Sequence, residues 1–163
     1  MKNLKWEKGV FSGKYSIYEN GSQIGELKDN LFSKKATGHL NGKSFTFRTT
    51  GFFQQRTQIF DDSNNQMVGE ISYNNWMTKA TLSTYDKVSN WKYNNVWNTK
   101  WSLSGQDGTH IHYTGASNKG TIETNTDDDL LLLSGLYVTN YYWQMTLIVL
   151  VAVFVPLWSA LNN

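Results

Sequence analysis

Two patterns of apolar residues divide this chain. Up to about Asp127 the apolar positions alternate with polar ones, as in Lys14-Tyr15-Ser16-Ile17-Tyr18-Glu19 and Phe45-Thr46-Phe47-Arg48. Alternation of period two predicts strands with one buried face. Asn20-Gly21 and Asn41-Gly42 separate such segments, a pair favoured in tight hairpins because both central residues take positive φ. Gln106-Asp107-Gly108 is a further turn signal. Hairpins at short, regular intervals with no helical period predict a closed antiparallel barrel or a sandwich.

An internal repeat favours the barrel. Ile24-Gly25-Glu26-Leu27 matches Val68-Gly69-Glu70-Ile71 at an offset of 44 residues. At the same offset Asn30 matches Asn74, Phe32 matches Trp76, and Lys35-Ala36-Thr37 matches Lys79-Ala80-Thr81. Ile17-Tyr18-Glu19-Asn20 resembles Ile59-Phe60-Asp61-Asp62. A fainter third copy is Ile111-His112-Tyr113 followed by Gly120-Thr121-Ile122-Glu123. Equal units arranged about an axis close a sheet and remove its exposed edges.

Beyond Asp129 the pattern changes. From Leu130 to Asn163 there is no Lys, Arg, Asp, Glu or His. Asp127-Asp128-Asp129 predicts a helix start, where carboxylates cap free N–H groups and complement the helix dipole. A calcium loop is the other reading of three aspartates, but the ligand spacing and glycine of an EF-hand are missing. A helix from 129 to 143 is apolar on every face and must be surrounded. Asn140-Tyr141-Tyr142-Trp143 separates it from a second apolar run, Met145 to Leu161, about 26 Å long as a helix against a hydrocarbon core of about 30 Å. That run either enters a bilayer or packs outside the barrel. The expected organisation is a barrel domain over 1–143 and a C-terminal apolar segment over 144–163.

The chain has 163 residues, enough for one well-buried domain, and no cysteine, which excludes disulfides and thiolate chemistry. Its first nine residues have no apolar core of the signal-peptide kind. The formal charge is +2, with every basic residue at or before Lys119. Only Asn162 and Asn163 follow the second run, so under the positive-inside bias the barrel is expected on the cytoplasmic side.

A polar β body ending in an aspartate-capped apolar helix resembles the tubby C-terminal-like superfamily, which includes tubby domains, LURP-one-related proteins and phospholipid scramblases. The resemblance rests on the Gly-Glu-Leu/Ile and Lys-Ala-Thr repeats and on Asp128-Asp129 with the following Leu130 to Val138. It spans roughly residues 9 to 143 and is closest to the LURP-one-related and bacterial members. It implies about twelve antiparallel strands closed around a central hydrophobic helix. The chain departs from the scramblases in lacking a proline-rich arm and a cysteine cluster. The tubby phosphoinositide pocket has no identifiable counterpart.

The sequence carries no Gly-x-Ser-x-Gly elbow, P-loop, dinucleotide fingerprint or His-Glu-x-x-His motif. His110 and His112 lie on one face of a strand with Asp107 near, a possible metal pair whose plainer reading is two surface histidines. Trp91, Tyr93, Trp97 and Trp101 are either a stacking platform or core aromatics. Lys34, Lys35, Lys43, Arg48, Arg56 and Lys79 are the candidate sites for an anionic lipid. Lys35 and Lys79 occupy equivalent repeat positions, which places them apart rather than in one cluster. The expected function is therefore non-enzymatic, without metal or cofactor: a membrane-associated module binding lipid or a protein partner and not nucleic acid. A soluble carrier of a small apolar ligand and, further off, a metal enzyme using His110 and His112 are the alternatives.

Overall fold

In the computed structural model, residues 1–9, 12–30, 33–51 and 55–161 are described. Twelve antiparallel strands form one closed barrel. In chain order they are β1 (Lys2–Lys8), β2 (Lys14–Glu19), β3 (Ser22–Asp29), β4 (Lys35–Leu40), β5 (Lys43–Thr50) and β6 (Arg56–Asp61), then β7 (Gln66–Tyr73), β8 (Lys79–Thr84), β9 (Val88–Tyr93), β10 (Lys100–Gly105), β11 (His110–Gly115) and β12 (Lys119–Thr124). Each pairs with its sequence neighbours, and β1 closes the ring on β12 from Lys2↔Thr124 to Glu7↔Lys119. Every strand is thus paired on both sides, and no edge is left open.

The two hairpin signals are real. Asn20, Gly21, Asn41 and Gly42 all have positive φ. The 44-residue repeat has a geometric cause as well. The β2–β3 register shifts between Ile17 and Tyr18, and the β6–β7 register shifts between Ile59 and Phe60. Gly25 faces Ile17 across the first bulge and Gly69 faces Ile59 across the second. Bulges increase local twist, which helps a sheet to curl closed. The β11–β12 pair that carries the third motif has no such shift. Phe32, which matches Trp76 in the repeat, lies outside the described residues.

A single helix, α1 (Asp129–Leu161), runs through the lumen. Leu131 to Val138 are all buried, packed against inward strand residues such as Ile17, Leu27, Phe47, Ile71, Trp91 and Leu103. A twelve-strand barrel is too wide for its own side chains to fill, and a helix about 10 Å across occupies the remaining space. Asp128 accepts hydrogen bonds from Leu130 N (3.1 Å) and Leu131 N (3.2 Å) and is the N-cap. Asp129 is buried and held by Asn41 Nδ2 (2.7 Å) and Lys43 Nζ (3.2 Å). No calcium-type ligand set forms, because these aspartates face different partners.

The structure corrects the expected division of the apolar region. There is no break at Asn140–Trp143, and residues 129–143 and 144–161 belong to one helix of 33 residues. Asn140 does not interrupt it because its side chain is satisfied by the barrel wall. It accepts from Tyr15 Oη (3.2 Å) and donates to Asp29 Oδ2 (2.8 Å). Gln144 donates to the same Asp29 oxygen at 3.0 Å. From Ile148 onward every described helical residue is exposed, so the helix leaves the barrel as an unsheathed apolar rod.

Candidate membrane-facing end of the barrel

The two ends of the barrel differ in chemistry. At the cap end, where α1 begins, lie the connections β2–β3, β4–β5, β6–β7, β8–β9 and β10–β11. Their residues are short polar turns such as Asn20-Gly21, Asn41-Gly42 and Asp62-Ser63-Asn64-Asn65, with Tyr85 the one large apolar side chain. At the mouth, where the helix emerges, lie β1–β2, β3–β4, β5–β6, β7–β8, β9–β10 and β11–β12.

Five of the six mouth connections share a motif, an aromatic residue followed three positions later by Lys or Arg. The pairs are Phe11 and Lys14, Phe32 and Lys35, Phe53 and Arg56, Trp76 and Lys79, Trp97 and Lys100. The aromatics recur at spacings of 21, 21, 23 and 21 residues. In each case the basic residue is the first of its strand. With Lys119, all six even-numbered strands begin at the mouth with an exposed cation, one on every second strand of the ring. Phe11, Phe32 and Phe53 lie outside the described residues, so only their place in the sequence is known.

The two tryptophan loops are twins. Asn74 Oδ1 accepts from Thr78 N and Lys79 N, both at 2.9 Å, and its Nδ2 donates to Thr78 Oγ1 at 3.0 Å. Asn95 makes the same three bonds to Thr99 and Lys100 at 2.7 to 3.0 Å. Met77 and Asn98 each have a φ of 54°. An asparagine bracing its own loop in this way fixes the tip locally, and Asn74 Oδ1 also accepts from Tyr142 Oη of the helix at 3.4 Å. The tips hold Trp76 and Trp97 away from the protein, 84% and 82% exposed, beside Val96 at 91%. Isolated exposed apolar side chains are ordinary, but two such rings on neighbouring connections of one rim are not isolated.

Charge follows the same axis. At the cap end, Lys2, Lys43 and Lys87 face Glu19, Asp61, Asp62, Asp86, Asp107, Glu123 and Asp127 to Asp129, three basic against nine acidic, net −6. Toward the mouth, the six strand-start cations with Lys8, Lys28, Lys34, Arg48 and Lys92 face Glu7, Glu26, Asp29 and Glu70, eleven against four, net +7. Lys5 lies midway and completes the formal +2. Among the described residues Lys35, Lys79, Lys100 and Lys119 have no ion pair, whereas Lys14 and Arg56 pair with Glu26 and Glu70.

Five of the six lipid candidates, Lys34, Lys35, Arg48, Arg56 and Lys79, are therefore at the mouth. Lys43 is not. It sits at the opposite end, bound to Asp129. Lys35 on β4 and Lys79 on β8 have three strands between them, apart as the repeat implied, yet share one rim.

Besides a cleft of about 710 Å³ between Arg56, Asn75 and Met145, two smaller clefts flank the emerging helix. One, of about 280 Å³, lies between Lys8, Trp97 and Trp143. Lys8 Nζ stands 4.4 Å from the Trp143 ring centroid, and partial burial lowers its pKa. The second, of about 180 Å³, lies between Asp29, Lys34, Tyr141 and Met145. Burial pushes the Asp29 carboxyl up to about 6, against the opposing hydrogen bonds from Asn140 and Gln144.

The aromatic stretch divides by position. Trp91 and Trp101 are buried core residues, and Trp91 Nε1 donates to Gly135 O of the helix at 3.2 Å. Tyr93 packs edge-on against Trp91, and Trp97 alone faces solvent. His110 and His112 lie on the outer face of β11 with Nε2 atoms 2.7 Å apart. Partial burial, then the neighbouring His112, lowers the His110 pKa. Asp107 does not join them. It accepts from Thr109 N (3.0 Å) and pairs with Lys87 (3.1 Å), which hold its carboxyl down to about 2. Among the described residues no group of three metal-ligating side chains converges.

Sequence reasoning found most of the cations but missed the aromatic–cation motif, although its period of about 21 residues is visible in the chain. Comparison with protein-family models, with curated proteins and with solved structures gives no match. The chemistry of the mouth is what bears on function.

Proposed function

We infer that this protein is a non-enzymatic, tubby-like barrel anchored by its helix at the cytoplasmic face of a membrane, where it binds lipid or a protein partner. The observation that carries this reading is the continuity of α1. One half is the barrel's plug, and the other is an exposed apolar rod with no charged residue. Val151, Phe154, Val155 and Leu157 are each more than half exposed. Leaving that surface in water is unfavourable by roughly 25 cal/mol per Å².

From Met145 to Leu161 the rod is about 26 Å long, close to the thickness of a hydrocarbon core. Tyr141 and Trp143 at its base and Trp158 near its tip are spaced as interfacial anchors. The +7 mouth beside the emerging helix supports the cytoplasmic side, where anionic lipid is concentrated. The twelve strands around an enclosed helix agree with the architecture that the tubby-like resemblance implies. A soluble carrier of an apolar ligand is a weaker reading, because Leu131 to Val138 already occupy the lumen.

Carbonate extraction of membranes from expressing cells tests the anchor. The full chain should stay in the pellet, and a chain ending at Gln144, which keeps the bond to Asp29, should be soluble and folded. A soluble full chain with an insoluble truncation would instead make the rod part of a protein core.

A further inference from the structure

We propose that the mouth of the barrel is itself a bilayer-binding surface, a collar of aromatic tips and cations that seats on an anionic leaflet. This rests on the reading of the helix as a membrane anchor and adds a second, separable contact. A helix that merely tethered the barrel would need nothing from the loops around its exit.

Three features meet at this one end. The helix emerges there. Five of its six connections place an aromatic residue three positions before a strand-start cation. The net charge is positive there and negative at the cap end. Aromatic rings favour the headgroup level, where an apolar body and a polar edge are both accommodated. A cation at the foot of the strand behind each tip matches a layer of lipid phosphates. An anionic leaflet complements the ring, and the −6 cap end would be repelled from the same surface, so the barrel axis is steered along the membrane normal.

The internal bracing of the Trp76 and Trp97 loops supports the same conclusion. Asn74 and Asn95 hold these tips rigidly with the rings outward, so little ordering remains to be done on binding. The opposite end, with hairpins of the same ring, has turns that are almost wholly polar. A partner protein would need to match the Trp76 and Trp97 tips and six strand-start cations spread around an emerging helix. A bilayer matches them by being flat.

The absence of cysteine makes a direct test simple. Single cysteines at Trp76, Trp97, Asn64 and Val153 of the full chain are labelled with an environment-sensitive fluorophore. Each protein is reconstituted into phosphatidylcholine vesicles with and without phosphatidylserine, and quenching by headgroup-linked and acyl-linked spin labels is measured. All four sites are exposed, so the fold tolerates the changes, and circular dichroism checks it. Labels at 76 and 97 should be quenched at the headgroup and upper acyl level, that at 153 deep in the acyl region, and that at 64 not at all.

Phosphatidylserine should strengthen quenching at 97, and Lys35→Gln with Lys79→Gln should reverse the gain. Each cation near an anionic surface shifts a seated–lifted equilibrium roughly five-fold, so the pair should shift it by about 25-fold. Quenching at 153 with water-exposed labels at 76 and 97 overturns the collar and leaves the anchor standing. Quenching at 76 and 97 without any at 153 overturns the anchor and sustains the collar. Equal quenching with and without phosphatidylserine overturns the anionic preference.

Discussion

Gly135 of the helix and Tyr113 of β11 meet inside the barrel. A β-carbon on Gly135 would overlap the hydroxyl and ring edge of Tyr113. The same hydroxyl donates to the helix carbonyls of Leu132 (3.1 Å) and Leu131 (3.3 Å), and the ring stacks on Trp101 with centroids 5.5 Å apart. The tyrosine thus occupies the space that a larger helical residue would need, and it fixes the depth at which the plug sits.

Gly135→Ala should therefore destabilise the barrel by about 1–3 kcal/mol, although alanine is the better helix former by about 1 kcal/mol. Tyr113→Phe keeps the ring and removes the hydroxyl, for a loss of about 1 kcal/mol. Denaturant unfolding of the two single variants and of the double variant gives the coupling. The double variant should be less unstable than the sum, because the overlap is partly relieved. Strict additivity would mean that the two residues do not compete for space.

Leu132 is 1% exposed and faces the lumen. Leu132→Asp places an unpaired carboxylate there, at a cost of several kcal/mol, and should leave the chain unfolded. Retention of wild-type melting temperature would show that the helix is not enclosed.

Much of this fold is written in local pattern. Alternation gives the strands, Asn-Gly marks two hairpins, and the aspartate run starts the helix at Asp129. Continuity of the helix is not local. Asn140 reads as a polar break because its partners, Asp29 and Tyr15, are 111 and 125 residues away. The mouth was half legible. Aromatic and cation recur at nearly constant spacing, but Phe replaces Trp and Arg replaces Lys. Only the antiparallel ring shows that every second connection returns to the same end. Lys43 was misplaced for that reason, since one strand carries the chain from one end to the other.

The N-cap can be tested by itself. Asp128 serves two helical N–H groups, and Asp128→Ala should lower stability by about 1 kcal/mol without changing the fold. Thermal unfolding followed by circular dichroism measures it. A neutral outcome would assign the capping role to Asp127 or Asp129 instead.

Replacing both His110 and His112 by alanine should leave stability within about 0.5 kcal/mol of wild type, as for exposed positions on an outer face. Their 2.7 Å contact leaves room for one shared proton and no third ligand among the described residues. Stoichiometric zinc in the purified protein that vanishes in the double variant would sink this prediction.

Asp29 gives the barrel a pH dependence of unusual sign. Its carboxyl is 4% exposed and has a pKa raised to about 6 from an ordinary 3.8. A carboxyl raised in the folded state binds its proton more tightly there than in the unfolded chain. Its stabilising contribution is complete below about pH 4 and is lost as pH rises through about 6. A shift of about two units corresponds to about 3 kcal/mol at most. Asp29→Asn keeps an oxygen for Asn140 and Gln144 and removes the charge, so above pH 6 it should be more stable than wild type. The two proteins should converge toward pH 4. Asp107 and Glu26, whose pKa values are lowered, act oppositely in acid, and they cancel in this difference because both proteins retain them. The measurement is the wild-type minus Asp29→Asn unfolding free energy from pH 4 to 8. A flat difference, or one that favours wild type as pH rises, would place the ionised Asp29 in a well-solvated site and remove it from the bonds that hold the helix in the mouth.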